Sequence, residues 1–391
     1  MSAAGAPEMA TQPDNCIVAI FGAGRNGSTL LGRLLDGSPG LWAHAPEINY
    51  LCAWDDLVAD GELSIPVRQN TTTRALKRLN SVLPAAALVG EYRGHWEEIE
   101  DLYISNLVEP FERRRDPAAK LLRRDEWDVA SFLPAFLEET RIAYASDTAP
   151  AKVTLFKTIE TPYIDDYLRV FPGLRCLHIV RDPVDNFGSA KRTWSFNKDF
   201  SFYQFGHDQL ETFLDARWLP HARSMLRLVA EQPDVHRIVR YEDLKADPAS
   251  CIRAICGWLG VEPPAGSDHL TVLGGRAFRR MPSNPSQPGI EPPARVVADM
   301  AAAFGYTDVL SARERALIRH ATTPLAEQLG YATTADTAPA GRLAGLRLWL
   351  RWLPIDDSER LNRRSRLRFI VEIVRRRMYL ARLLSRRRQS V

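Results

Sequence analysis

The sequence predicts an α/β domain, a P-loop-type three-layer fold built on a central parallel sheet. Two observations carry that expectation. Short apolar runs rich in β-branched residues are each followed by a stretch with helical periodicity, the alternation that builds parallel sheets. The first of these junctions is also a glycine loop. The run Cys-Ile-Val-Ala-Ile-Phe at 16–21 reads as a buried strand, Gly22 to Gly27 as the loop, and Ser28-Thr29 as the start of a helix carrying Leu30, Leu31, Leu34 and Leu35. Further strands are expected at 153–157, 175–180 and 236–240, each leading into a helical pattern.

Composition fits this class. A chain of 391 residues, 45% hydrophobic and 25% charged, can bury a large core and is not a disordered one. Net charge is only +3, but it is segregated: residues 341–391 hold fifteen Arg against four acids, a charge of +11 that leaves −8 on the rest. That argues against a uniformly basic nucleic-acid binder, and no nucleic-acid motif is present. The five cysteines form no C-x-x-C pair, which argues against a zinc site and a disulfide scaffold and for free thiols; no metal is expected. No apolar run approaches the roughly 20 residues of a membrane span. Residues 1–14 read as a polar disordered tail without signal-peptide character, so a cytoplasmic protein is expected.

The main domain is placed at 15–335. Within it, 51–149 reads as a helical insertion on the acceptor side, with Trp54, Tyr92, Trp96, Tyr103 and Trp127 as candidates for shaping a pocket and Pro134 expected to kink a helix over 128–144. Five prolines between 282 and 293 make a long loop. After a small-residue linker, 336–391 reads as a tail of basic amphipathic helices broken at Pro354, with Leu343, Leu346, Leu350 and Leu353, then Leu367, Ile370, Val371, Val374, Met378 and Ala381, at helical spacing. Such helices bind anionic membranes, an acidic protein, or their own domain.

Gly22 and Gly27 have the G-x-x-x-x-G spacing of a phosphate loop. A nucleoside-triphosphate loop needs Lys after the second glycine, and Ser28 stands there instead; the cation is Arg25, inside the loop. The strand at 175–180 ends in Arg181-Asp182-Pro183, with Ser189 on the second turn of the next helix, an arrangement suited to a second phosphate.

The stretches Gly24-Arg25-Asn26-Gly27-Ser28-Thr29-Leu30 and His178-Ile179-Val180-Arg181-Asp182-Pro183 with Ser189 resemble the two nucleotide-binding motifs of the sulfotransferases, which use 3′-phosphoadenosine 5′-phosphosulfate (PAPS) and release adenosine 3′,5′-bisphosphate (PAP). Phe156-Lys157-Thr158, Val239-Arg240-Tyr241-Glu242-Asp243-Leu244 and the late Leu310-Ser311 to Tyr331 segment extend the resemblance over about residues 15–332. It implies that Arg25, Asn26, Gly27, Ser28 and Thr29 hold the 5′-phosphosulfate, that Arg181 and Ser189 hold the 3′-phosphate, that Tyr241 sits beside the nucleotide, and that Arg276 belongs to a late basic loop reaching the 3′-phosphate. Arg25 and Lys157 become the electrostatic clamp.

One branch of the family reads Lys-Thr-His at the strand end and uses the His as base; here the third residue is Ile159, which takes no proton. A branch with tyrosylprotein and bacterial members places a Glu after the second strand, and Leu41-Trp42-Ala43-His44-Ala45-Pro46-Glu47 matches it, so Glu47 is the expected general base, with His44 and Glu160 as rivals. The expected acceptor is a hydroxyl of a glycan, a lipid-linked or a small molecule. The competing functions are a P-loop kinase or NTPase, against which Ser28 speaks, and a non-catalytic nucleotide-binding module attached to the membrane.

Overall fold

The computed structural model of the chain describes residues 16–48, 51, 129–145, 150–196, 210, 212–266, 270–277, 310–331 and 378. These fall in two compact units, one drawn from residues 1–181 and 224–304, the other from 182–223 and 305–391.

The first unit is the sheet. Five parallel strands, β1 (Cys16–Phe21), β2 (Leu41–Glu47), β3 (Val153–Thr158), β4 (Arg175–Val180) and β5 (His236–Arg240), run in the order β2-β3-β1-β4-β5. This is the α/β, P-loop-like architecture that the strand and helix alternation predicts. Successive side chains of a strand alternate between faces, and here they feed two cores. Val18 and Ile20, Val153 and Leu155, Leu177 and Ile179, and Val239 pack with helix α1 (Ser28–Leu35). Ala19 and Phe21, Phe156, and Cys176 pack on the other face with α2 (Val129–Ala145) and α3 (Ile164–Val170). Being covered on both sides is why these strands are continuous apolar runs.

That alternation also positions chemistry. The residues that extend the α1-facing rows to the carboxyl edge are Lys157 on β3, Arg181 just past β4 and Tyr241 just past β5. Strand β2 is less regular. Pro46 has no N–H to give, and its register against β3 shifts between Ala43 and Glu47 before Glu47 pairs with Lys157. Helix α2 contains Pro134 within its 17 residues and stands at the end of the expected insertion; 52–128, the proline-rich loop and the linker lie outside the described residues.

The second unit contains α4 (Pro183–Phe196), a π-helical segment (Thr212–Trp218) and α8 (Ala312–Gln328). The last begins with a capping box, Ser311 accepting from the Glu314 amide while Glu314 accepts from the Ser311 amide. Helices α4 and α8 are joined by Lys191 and Glu314 at 2.7 Å, and Phe187 packs on Phe213 at 5.2 Å. Ser189 is buried in this unit. Helices α5 (Leu219–Glu231), α6 (Tyr241–Ala246) and α7 (Pro248–Leu259) complete the helices around β5, and a hairpin of β6 (Thr271–Val272) and β7 (Arg276–Ala277) follows. No helix among the described residues is long and apolar enough to cross a membrane.

Candidate active site

The glycine loop takes left-handed backbone angles at Gly24 (φ 80°), Arg25 (φ 57°) and Gly27 (φ 100°). For arginine this conformation costs roughly 1–2 kcal/mol, a strain of the kind found where a loop is shaped for a ligand. Both flanking glycines are sterically required. A Cβ on Gly22 would lie 1.8 Å from the Asn26 amide nitrogen, and one on Gly27 would lie 2.4 Å from the Tyr241 ring. Asn26 is buried, donates from Nδ2 to the Ile179 carbonyl at 2.8 Å and accepts from the Ser28 amide. It fastens the loop to β4. Gly27→Ala combines the ring clash with a disfavoured φ, so it is expected to weaken anion binding in calorimetry and to lower stability, on the order of 1–3 kcal/mol.

Helix α1 starts at Ser28 with no side-chain cap and no acid in its first turn. The positive end of its dipole is therefore left for an external anion. Cations surround it. Lys157 is buried and donates from Nζ to Thr29 Oγ1 at 2.6 Å. Burial and the neighbouring Arg33 and Arg25 guanidiniums, against the favourable Glu47 carboxylate, push its ammonium down to about 7. Arg181 is buried, stacks its guanidinium on the Tyr241 ring at 4.4 Å and reaches toward the Arg25 carbonyl at 3.5 Å. The loop thus has Arg25, Lys157 and Arg181 converging on it from three elements.

Beside Lys157 stands Glu47, half-buried at the end of β2. The two rival bases are placed differently. His44 is buried against Phe136 with Nδ1 3.4 Å from Thr140 Oγ1, and burial, Lys157 and Arg33 push its imidazole down to about 3. Glu160 is buried as an acceptor for the Leu51 amide and for the Tyr167 and Thr158 hydroxyls.

A model of the sulfotransferase family matches residues 18–264, more than half of the chain. The chain belongs to the sulfotransferase family. Solved structures similar to it include the sulfotransferase domain from the curacin biosynthetic pathway (16% identity, 82% of this chain and 99% of that one, TM-score 0.41). Another is the sulfotransferase domain of the Synechococcus PCC 7002 olefin synthase (19%, 83% and 98%, TM-score 0.40). A third is a sulfotransferase from Mycobacterium avium (16%, 82% and 78%, TM-score 0.40). No curated protein matches the chain in sequence.

Of the residues expected in this sulfotransferase-family site, Arg25, Asn26, Gly27, Ser28, Thr29, Lys157, Arg181, Tyr241 and Glu47 come together at the carboxyl edge of the sheet. Arg276 does not. Its hairpin is held at the other end of α1, where the Asp36 carboxylate accepts from the Gly274 and Gly275 amides at 3.0 and 2.8 Å and the Asp36 carbonyl accepts from Thr271. An eight-residue helix separates the two places by about 12 Å. The Gly-Gly turn, with φ of 80° and 94°, serves this aspartate and not a phosphate. Arg276, exposed on β7, is removed from the site. Asp36→Ala should cost about 1 kcal/mol by removing the acceptor of two partly buried amides, while nucleotide affinity stays unchanged; denaturant titration beside calorimetry checks this.

Sequence reasoning missed Arg33. It is buried on α1, donates to the Ala45 carbonyl at 3.3 Å and contributes to the low affinity of Lys157 and His44 for protons. A signal existed: Arg33 lies four residues from Thr29, on the same helix face.

Proposed function

We propose that this sulfotransferase-family chain transfers the sulfuryl group of PAPS to a hydroxyl of a carbohydrate, lipid or small-molecule acceptor, leaving PAP. The observation that carries this is the convergence of Arg25, Lys157 and Arg181 on a glycine loop whose Walker position is Ser28. The fit to a nucleotide with phosphate groups at two positions is chemical as well as steric. Gly27 leaves no room for a Cβ beneath Tyr241, the free α1 N-terminus accepts one anionic group, and the Arg181 fork, braced on Tyr241, suits another. Ser189, to which the family resemblance also assigns the 3′-phosphate, lies in the second unit.

PAPS supplies the sulfuryl group and its leaving phosphate. The chain supplies alignment and charge. Arg25, always protonated, is a fixed clamp on the developing negative charge. Lys157, held at about 7 in the unliganded chain, is driven toward its charged form by an anion beside it. Glu47, abreast of Lys157, takes the proton of the acceptor hydroxyl. The geometry favours it over its rivals: His44 is too weak a base at about 3, and Glu160 is occupied by three hydrogen bonds. Transfer of label from radioactive PAPS to a panel of glycans, lipid extracts and phenols tests the reading. Labelled product that vanishes in Arg25→Ala supports it; no product from any class, with PAP still bound, supports the non-catalytic module instead.

The basic tail extends the proposal to an anionic membrane surface. Of the tail, Met378 is described; it is helical and 59% exposed. Co-sedimentation with vesicles containing phosphatidylserine, lost above about 0.5 M salt and absent after truncation at residue 340, is the expected result. Equal binding to neutral vesicles would point to the apolar face alone.

A further inference from the structure

On the sheet face opposite the active site, three metal-ligating side chains meet. Cys176 and His178 lie two residues apart on β4 and therefore share a face; His236 opens β5 directly opposite Cys176 in the parallel register. All three are buried, and one ligand atom from each lies within 4.8 Å of the other two. His178 Nε2 and His236 Nδ1 are 3.1 Å apart. Phe21 stacks on His178 at 6.0 Å, which fixes the plane of that ring.

We infer that Cys176, His178 and His236 form a binding site for a thiophilic d10 cation of the zinc class, held by one thiolate and two imidazoles. The ligand set fits that class. Imidazole and thiolate are what zinc takes, no carboxylate or carbonyl cage suited to magnesium or calcium is present in the cluster, and bond lengths of 2.0–2.1 Å to nitrogen and 2.3 Å to sulfur put neighbouring ligands about 3.3–3.6 Å apart. At 3.1 Å the two imidazole nitrogens lie just inside that spacing and would part slightly to admit the ion. The Cys176 sulfur, within 4.8 Å of both nitrogens, would have to move in by up to about 1 Å to complete the set. On binding, the Cys176 thiol gives its proton to water as the Zn–S bond forms, and the imidazole that carries the proton between His178 Nε2 and His236 Nδ1 moves it to its other ring nitrogen, so that both rings ligate as neutral imidazoles. Near His236 the Arg227 guanidinium is offset by Asp165 and Glu231, which accept from it at 2.6 and 3.1 Å.

The position has a structural consequence. The cation would tie β4 to β5 below their carboxyl ends, and those ends carry Arg181 and Tyr241, the stacked pair of the nucleotide site. The cation is therefore a strand clamp that sets the spacing of the two elements, and it does not depend on the proposed reaction.

Because the site is enclosed, it loads as the chain folds. The full chain is produced in minimal medium with added Zn2+ or, separately, Co2+, washed with EDTA, and analysed for metal per chain and for absorption. The expected result is close to one equivalent of zinc, thiolate-to-cobalt charge transfer in the near ultraviolet with tetrahedral bands in the visible, and loss of both in Cys176→Ser and in His236→Gln. Cys251→Ser, which changes a thiol outside the cluster, retains both. Less than a tenth of an equivalent of zinc in the wild-type chain, with no cobalt–thiolate band, overturns the site and leaves a hydrogen-bonded histidine pair in a core. The wild-type spectrum decides the matter even if a variant fails to fold, and PAP titration of the same samples reads the nucleotide site separately.

Discussion

Lys157→Met is expected to abolish most nucleotide affinity and, in the same protein, to raise thermal stability. The loss follows from removing a buried cation beside the loop; a hydrogen bond to a charged group contributes about 1.5–3 kcal/mol, or roughly 10–100-fold in affinity. The stability gain follows from linkage. The folded chain holds Lys157 at about 7, against 10.5 for an ordinary lysine, so between those values the unfolded chain binds a proton that the folded one does not. Stability of the unliganded protein therefore rises with pH through that window, and below about 7 the full cost of the buried ammonium is present. Methionine removes that cost, so the variant melts higher at pH 7 by about 2 °C or more, and the advantage disappears near pH 10.5. Binding reads the same group with the opposite sign. An anion at the loop raises the ammonium again, so PAP binding takes up a proton and weakens as pH rises above 7, by at most about tenfold per unit. Calorimetry in two buffers of different ionisation enthalpy measures that uptake; the methionine variant should show neither the uptake nor the slope.

Glu47→Gln is expected to lower turnover by about 10²- to 10⁴-fold, the usual contribution of a general base, while PAP affinity changes little. The substitution keeps the shape and the place at the end of β2 but cannot accept the hydroxyl proton. It also removes the carboxylate that favours the Lys157 ammonium, so the lysine should lose its proton at lower pH than in the wild type. A split between intact binding and lost turnover assigns Glu47 to the acceptor proton. Equal loss of both would make it a support for Lys157, and normal turnover would return the base to another group.

Much of this was legible before any coordinates. Four strands announce themselves because a parallel sheet covered on both faces demands unbroken apolar runs, and the glycine loop and Arg181 follow from two of them. Strand β2 does not announce itself: alanines, His44 and Pro46 dilute its pattern, and its bulged register keeps the alternation from showing. Only the family resemblance placed Glu47 there. Arg276 is not placed by sequence alone, because a glycine pair with a nearby arginine looks the same whether it serves a phosphate or, as here, a buried aspartate 238 residues away from Gly274. The Cys176, His178 and His236 cluster was hidden for a similar reason. No local spacing marks it, since the parallel pairing of β4 with β5 brings His236 to the other two.

A glycine loop with Ser28 at the Walker position and Arg25, Lys157 and Arg181 around it should hold a nucleotide phosphorylated at both ends of its ribose without a divalent ion. Titration of the purified chain with PAP in excess EDTA, beside ATP with and without Mg2+, tests it most directly. The expected result is metal-independent PAP binding that is lost in Arg181→Ala. Binding of Mg-ATP alone, with PAP silent, would contradict it and restore the kinase reading.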